Sequence, residues 1–149
     1  MSAEFGFILF DVLGTPMPQG SMKAFNAGGM ARMKPSGGAA FAAWRNAVAD
    51  KARQVVEATG GAYPLDGPLV LHVEFRFPMP VSRPKRTRAL GMAPKTTAPD
   101  ADKLLRCVGD ALIAAGVLVD DARFCDVSAM KWEVTGWTGA TIRVKRWQP

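Results

Sequence analysis

Strict alternation over residues 69–77, LVLHVEFRF, constrains the fold of this chain more than any other feature. One face of this segment is apolar and is formed by Leu69, Leu71, Val73, Phe75 and Phe77. The opposite face carries His72, Glu74 and Arg76. Alternation with a period of two is typical of a β-strand that is buried on one face. The chain therefore needs helices that pack on one side of a sheet.

Two segments have the apolar period of such helices. Residues 39–58 place Phe41, Trp44 and Val48 on one face, and residues 102–115 repeat apolar side chains three and four positions apart. Strands are predicted at residues 5–13, where both faces are apolar and the strand is expected to be covered on both sides, and at SAMKWEV and TIRVKRW near the end of the chain. The predicted fold class is α+β, a mixed sheet of about four strands packed with two main helices. A single domain is expected over residues 1–149.

The composition narrows the classes of function. The formal net charge is +6, which favours polyanionic partners such as nucleic acid. Two cysteines and one histidine are too few for a structural zinc site. No apolar run reaches the roughly 18 residues of a membrane span, and the first residues lack the cationic start of a signal peptide. The chain is expected to act in the cytoplasm.

Two pairs of acids flank the second helix. Asp100 precedes it and Asp102 begins it, and Asp120 and Asp121 lie at the end of the short segment GVLVDD. The helix carries the chain about 20 Å away at 1.5 Å per residue, and five extended residues return about 17 Å. The second pair can therefore come back to the first. Asp102, Arg106 and Asp110 form one polar stripe along the helix.

Clustered carboxylates repel each other unless they share a proton or a cation. Oxygen ligands without His or Cys suit Mg²⁺ or Mn²⁺ rather than zinc. A magnesium site among basic loops is suited to phosphodiester hydrolysis of nucleic acid. Helix capping explains Asp100 or Asp102 singly, and a solvated turn explains the second pair, but neither explains the whole set. The basic side chains expected to contact DNA are Lys23, Arg32, Lys34, Arg83, Lys85, Arg86, Arg88 and Lys95.

The acid-flanked helix resembles the RusA family of Holliday-junction resolvases, which are common in phages and prophages. The resemblance lies in PDADKLLRCVGDAL followed by AAGVLVDDARF: acid, x, acid, a helix, Gly, a short strand and an acid pair. The segments GTPMPQGS and FAAWRNAV and the basic loop before the acids extend it over nearly the whole chain.

This resemblance implies a homodimeric, Mg²⁺-dependent endodeoxyribonuclease that nicks opposing strands of a four-way DNA junction, with Mn²⁺ able to replace Mg²⁺. It implies a role in recombination, repair or phage DNA processing in a bacterial or phage-infected cell, without an organic cofactor or a membrane. Asp100, Asp102 and Asp121 match the metal-binding catalytic acids of the family. Arg106 stands where the family carries a catalytic lysine. Lys103, which replaces a common Asn, and the recurrent acids Asp110 and Asp120 are expected to surround these residues.

Other functions are considered beside this one. In glycosyltransferases and haloacid-dehalogenase-type phosphatases an Asp-x-Asp follows an apolar strand directly, whereas KTTAP precedes it in this chain. An RNA-binding module is disfavoured because the sequence has no aromatic RNP-like motif. A basic protein that binds junctions with weak or no catalysis stays open, because charge alone suffices for DNA binding and both Lys103 and Arg106 depart from the family pattern.

Overall fold

The computed structural model describes residues 7–20, 22–27, 30–35 and 38–149, and for 22–27 and 30–35 it describes the backbone alone. The elements in chain order are β1 (Ile8–Leu13), β2 (Met22–Ala27), β3 (Met30–Pro35), α1 (Gly38–Thr59), β4 (Leu69–Pro78), α2 (Lys85–Leu90), β5 (Met92–Pro94), α3 (Ala101–Ala114), a 3₁₀ turn (Asp121–Arg123), β6 (Phe124–Val134) and β7 (Gly139–Arg146).

Strand β4 lies at the centre of a five-stranded mixed sheet with the order β1-β7-β4-β6-β5. It runs antiparallel to β7, with Leu71 opposite Val144, and parallel to β6, with Leu71 opposite Val127. Strands β1 and β5 form the two edges, each antiparallel to its neighbour. Strands β2 and β3 form a separate antiparallel pair. The predicted α+β class is confirmed, with one more strand in the main sheet than predicted.

The apolar face of β4 forms the centre of the core, as the alternation predicts. Its five apolar side chains are buried, and the residues between them are half-buried or exposed. Helix α1 contributes Trp44, Val48 and Ala52 to the same core, and β7 contributes Ala140, Ile142 and Val144. The sheet and helices thus pack as two layers.

Helix α3 follows the predicted pattern closely. Its buried residues are Leu104, Cys107, Val108, Gly109, Ala111 and Leu112. The chain leaves the helix through Gly116, whose φ of 79° lies in the left-handed region that favours glycine. Since the apolar stripe faces the core, the face that carries Asp102 and Arg106 is directed outward.

The prediction for β1 is wrong in one respect. Ile8, Phe10 and Val12 are buried, but Leu9 is 48% exposed and Leu13 is 70% exposed. β1 is therefore not covered on both sides, because it is an edge strand in a sheet whose described helices pack on one face only.

Two segments for which no helix or strand was predicted contain regular structure. The Gly- and Met-rich segment 14–38 includes β2 and β3, and the basic segment before the acids includes α2 and β5. These elements have only three to six residues each. The lengths of α2 and β5 are too short for an apolar period to be recognised, and β2 and β3 do not alternate apolar and polar residues. Within the described ranges, no helix is long and apolar enough to span a membrane.

One buried charge joins the basic segment to the sheet. Glu133 on β6 is only 2% exposed, and its Oε1 accepts a hydrogen bond from Arg83 Nε at 2.7 Å. This bond raises the pKa of the Arg83 guanidinium. A buried carboxylate is costly unless it is paired. Arg83, which the sequence suggested as a DNA contact, thus serves to hold the segment before α2 against the sheet.

We therefore predict that Arg83→Ala lowers the melting temperature by several degrees, because it leaves the Glu133 carboxylate buried without a partner. Replacing both residues with Met should restore most of the loss, since removing both partners is far less costly than removing one. Thermal unfolding followed by circular dichroism measures both effects, with Lys85→Ala as the exposed control. A melting temperature of Arg83→Ala equal to that of Lys85→Ala would contradict the structural role.

Candidate active site

The first turn of α3 carries Asp100, Asp102 and Lys103. Asp100 occupies the N-cap position with extended backbone angles, yet its side chain makes no capping hydrogen bond. Its Oδ2 lies 3.7 Å from Lys103 Nζ, and both side chains are well exposed. The capping interpretation therefore does not account for Asp100, whose carboxylate is directed to solvent and to the Lys103 ammonium group.

Asp102 and Arg106 lie on the outer face of α3, one turn apart, and both are exposed. Among the described residues, neither side chain forms an ion pair or a hydrogen bond. The polar stripe of Asp102, Arg106 and Asp110 is therefore not joined by ion pairs within the described part of the chain. These two side chains are available to a ligand.

The second acid pair begins the 3₁₀ turn. Asp120 Oδ1 accepts a hydrogen bond from the Ala122 amide at 3.0 Å, and this bond lowers the pKa of Asp120. The pKa of Asp121 is raised, first because its carboxyl shares a hydrogen bond with Asp120, then because of partial burial and the charges of Asp120 and Asp110. The two carboxyl groups are therefore close enough to compete for one proton, and Asp110 adds negative charge from α3.

The return of the chain brings Asp121 against α3 at Gly109. A Cβ atom built on Gly109 would lie 3.8 Å from the Cβ of Asp121. Gly109 is seven residues after Asp102, which places it almost on the same side of the helix and about 10 Å along the axis. The acid pairs therefore share one face of α3 but lie at different heights along it.

The expected closure of Asp100, Asp102 and Asp121 around one ion is not present as a formed cluster. In the described parts of the chain, no three Asp, Glu, His or Cys side chains form a group that could hold a metal. The chemistry of the donors nevertheless fits a hard divalent cation, because all are carboxylates and Asp100 and Asp102 are exposed without a capping bond. The ligand assignment accordingly stays a prediction.

Sequence reasoning did not single out two residues that attach this turn to the rest of the fold. The backbone amide of Gln19 donates to the backbone carbonyl of Lys103 at 3.0 Å. The Gln19 side-chain oxygen is buried and has no hydrogen-bond partner among the described residues. Lys131 on β6 donates to the carbonyl groups of Thr97 and Pro99. The segment GTPMPQGS was the only sequence signal for Gln19, and no local pattern marked Lys131.

Comparison with known families identifies the family to which this helix and the rest of the chain belong. A family model described as Endodeoxyribonuclease RusA matches residues 14–145. The chain belongs to the RusA endodeoxyribonuclease family. No curated protein matches it. The match covers nearly the whole chain, including the acid turn, the 3₁₀ turn and the basic segment, so it confirms the resemblance seen in the sequence. The family identifies a nuclease that cleaves DNA within a strand.

The basic residues of this RusA-family chain do not all have the same role. Lys85 and Arg86 on α2 are exposed and make no ion pair or side-chain hydrogen bond with any described residue. Arg88 donates to the Pro80 carbonyl at 2.9 Å, and Lys95 donates to Thr97 while its ammonium lies 5.1 Å from the Phe77 ring centre. The predicted contacts Lys23, Arg32 and Lys34 have side chains that lie outside the described part of the structure.

The contact between Lys103 and Asp100 leads to a prediction. Lys103→Asn should increase the affinity for a divalent cation, because it removes an ammonium group 3.7 Å from a carboxylate proposed to bind that cation. Stability should change by no more than about 0.5 kcal/mol, since the pair is exposed. Calorimetric titration with Ca²⁺ measures the affinity, and Lys51→Asn on α1 is the matched control. Equal or weaker affinity in Lys103→Asn would contradict the competition.

Proposed function

We propose that this RusA-family protein resolves four-way DNA junctions by Mg²⁺-dependent hydrolysis of paired phosphodiester bonds. The observation that carries the proposal is the outer face of α3. On this face the Asp100 side chain makes no capping hydrogen bond, and the side chains of Asp102 and Arg106 have no partner in the described chain. All three residues lie within the range that matches the family. Asp100 has only an exposed ion pair with Lys103, which contributes little to stability, and such weakly engaged side chains are expected of groups that bind a ligand.

Asp100, Asp102 and Asp121 are the residues that would hold the cation. A bound Mg²⁺ would polarise the scissile phosphate and lower the pKa of a water molecule. Mn²⁺ has the same preference for oxygen ligands and would substitute. The raised pKa of Asp121 supports its assignment, because the acids around it produce the crowding of negative charge that a cation relieves.

Arg106 is placed to stabilise negative charge on the phosphate. It lies one turn from Asp102 on the same outer face of α3. A guanidinium cannot readily accept or deliver a proton, so its role is electrostatic. Lys103, Asp110 and Asp120 surround the proposed ligands and set the local charge.

Lys85 and Arg86 are proposed to hold the DNA backbone beside the acids. Both lie on α2, which precedes β5 and the segment leading to Asp100. Exposed cations without protein partners neutralise phosphates at little cost. Arg88 and Lys95 are assigned a smaller share because each already has a protein partner.

A homodimer fits the symmetry of the substrate. A four-way junction has nearly two-fold symmetry, so a C₂ dimer places one site on each of two opposing strands. The exposed apolar side chains of β1, Leu9 and Leu13, support an interface that includes this edge. We place the activity in the cytoplasm of a bacterial or phage-infected cell, in recombination, repair or phage DNA processing.

A second candidate function is junction binding with weak catalysis. It is favoured by the ammonium of Lys103 beside Asp100, and by the separation of the two acid pairs along α3. Both features reduce the affinity for a cation without reducing the positive surface that binds DNA. Cleavage of a junction separates this candidate from the resolvase.

We predict that Asp102→Asn lowers the cleavage rate of a synthetic four-way junction by at least about 100-fold, because a metal ligand contributes several kcal/mol to the transition state. Junction affinity should be unchanged or tighter, since one repulsive charge is removed. Single-turnover cleavage and gel-shift titration measure the two effects. Asp126→Asn, an exposed carboxylate on β6, is the control, and unchanged cleavage by Asp102→Asn would remove the site assignment.

A further prediction concerns the basic helix. Lys85→Ala combined with Arg86→Ala should weaken junction binding and reduce the slope of log K against log salt by about 0.9 for each lost phosphate contact. Binding titrations at several salt concentrations give this slope. Lys51→Ala together with Arg53→Ala on α1 is the control of equal charge. An unchanged slope in the α2 variant would show that this helix does not contact phosphates.

A further inference from the structure

Lys131 directs a charged side chain at the backbone that precedes the acids. Its Nζ donates to the Thr97 carbonyl and to the Pro99 carbonyl, both at 2.8 Å. An ammonium group has three donors, so two of them hold a three-residue segment that ends directly before Asp100. The side chain is half-buried; the bond to Pro99 is partly buried, whereas the bond to Thr97 is exposed.

The backbone of Lys131 holds the same segment at its other end. The Lys95 amide donates to the Lys131 carbonyl at 2.9 Å, immediately after Pro94 pairs with Trp132 across β5 and β6. One residue of β6 therefore fixes the chain from Lys95 to Pro99. On the helical side, the Leu104 amide donates to the Asp100 carbonyl at 3.1 Å. Asp100 thus lies between two anchored segments.

Lys131 does not pair with an acid. The nearest carboxylate along β6, Glu133, is bound by Arg83. Within the described chain, no Asp or Glu lies within ion-pair distance of Lys131. The ammonium group instead donates to two neutral carbonyl oxygens immediately before the N-terminus of α3. Such an arrangement is not needed to balance charge on the surface. It is needed to hold the backbone in place before Asp100 and Asp102.

We propose that Lys131 is a positioning residue that orients Asp100 and Asp102 by clamping residues 97–99, and this inference rests on the proposed function of those acids. Reacting groups lose about 100-fold in rate when they are displaced by about 1 Å. Groups that orient metal ligands typically contribute 10- to 100-fold to metal affinity or activity. The clamp acts on the acids through the backbone and does not contact the substrate.

The test compares Lys131→Met, Lys131→Arg and Lys131→Gln with Lys145→Met, a control on the exposed face of β7. Three quantities are measured: Ca²⁺ affinity by calorimetry without DNA, kcat and KM for junction cleavage, and junction affinity. Lys131→Met should weaken Ca²⁺ binding at least about tenfold and lower kcat by about 100-fold. KM and junction affinity should stay within about twofold, since no phosphate contact is lost.

Lys131→Arg keeps donors for two carbonyl groups and should recover kcat to within about tenfold of the parent. If Lys131→Met does not fold, Lys131→Gln, whose polar side chain is uncharged and too short to donate to both carbonyl groups as Lys131 does, is held to the same outcomes. Wild-type Ca²⁺ affinity and kcat with only a lower melting temperature would overturn the proposal, as would a loss confined to KM and junction affinity.

Asp102→Asn measured in parallel separates this inference from the proposed function. If Asp102→Asn is inactive while Lys131→Met cleaves normally, only the positioning role of Lys131 fails. If Asp102→Asn cleaves like the parent, the acid site itself is wrong and the role of Lys131 fails with it.

Discussion

The packing of α3 on the sheet is the constraint on which the site depends. Six residues of the helix are buried, and they fix its rotation about its own axis. With that rotation set, Asp102 and Arg106 must face outward, and the chain that returns after Gly116 must pass over the face that carries Gly109. Because protein cores are close-packed and tolerate little displacement, the helix is a rigid support. Asp102 and Arg106 can be exposed without partners in the described chain because the opposite face of the helix supplies the stability.

The elements with a long and regular apolar period could be predicted from the sequence, namely β4, α1, α3 and the two closing strands. The burial of β1 could not, because an apolar residue such as Leu9 carries no mark of lying on an edge strand. The role of Arg83 was also hidden, since its partner Glu133 is fifty residues away in the chain and the pairing depends on the fold. Short elements such as α2 and β5 lacked the length that makes a period visible.

The candidate site was likewise predictable from the sequence only in part. The spacing of residues 98–121 was sufficient to indicate a family and to show that two acid pairs can lie along one helix, and the family match confirms the first point. Spacing indicated that Asp121 can come back to the first acid pair, but it did not give its height along the axis of α3, which depends on the turn after Leu118 and on the contact with Gly109. The anchors from Gln19 and Lys131 are long-range hydrogen bonds, and no local pattern encodes them. Together, these bonds attach the first turn of α3 and the segment before it to two distant parts of the chain.

The central claim is that the outer face of α3 binds a divalent cation and cuts branched DNA. The most direct measurement is incubation of the protein with a four-way junction, a linear duplex and single strands of the same sequence, each with Mg²⁺ and with EDTA. We expect paired nicks in opposing strands of the junction, with Mg²⁺ only, and little cleavage of the linear substrates. Cleavage in EDTA, equal cleavage of the linear duplex, or junction binding without any cleavage in Mg²⁺ would contradict it.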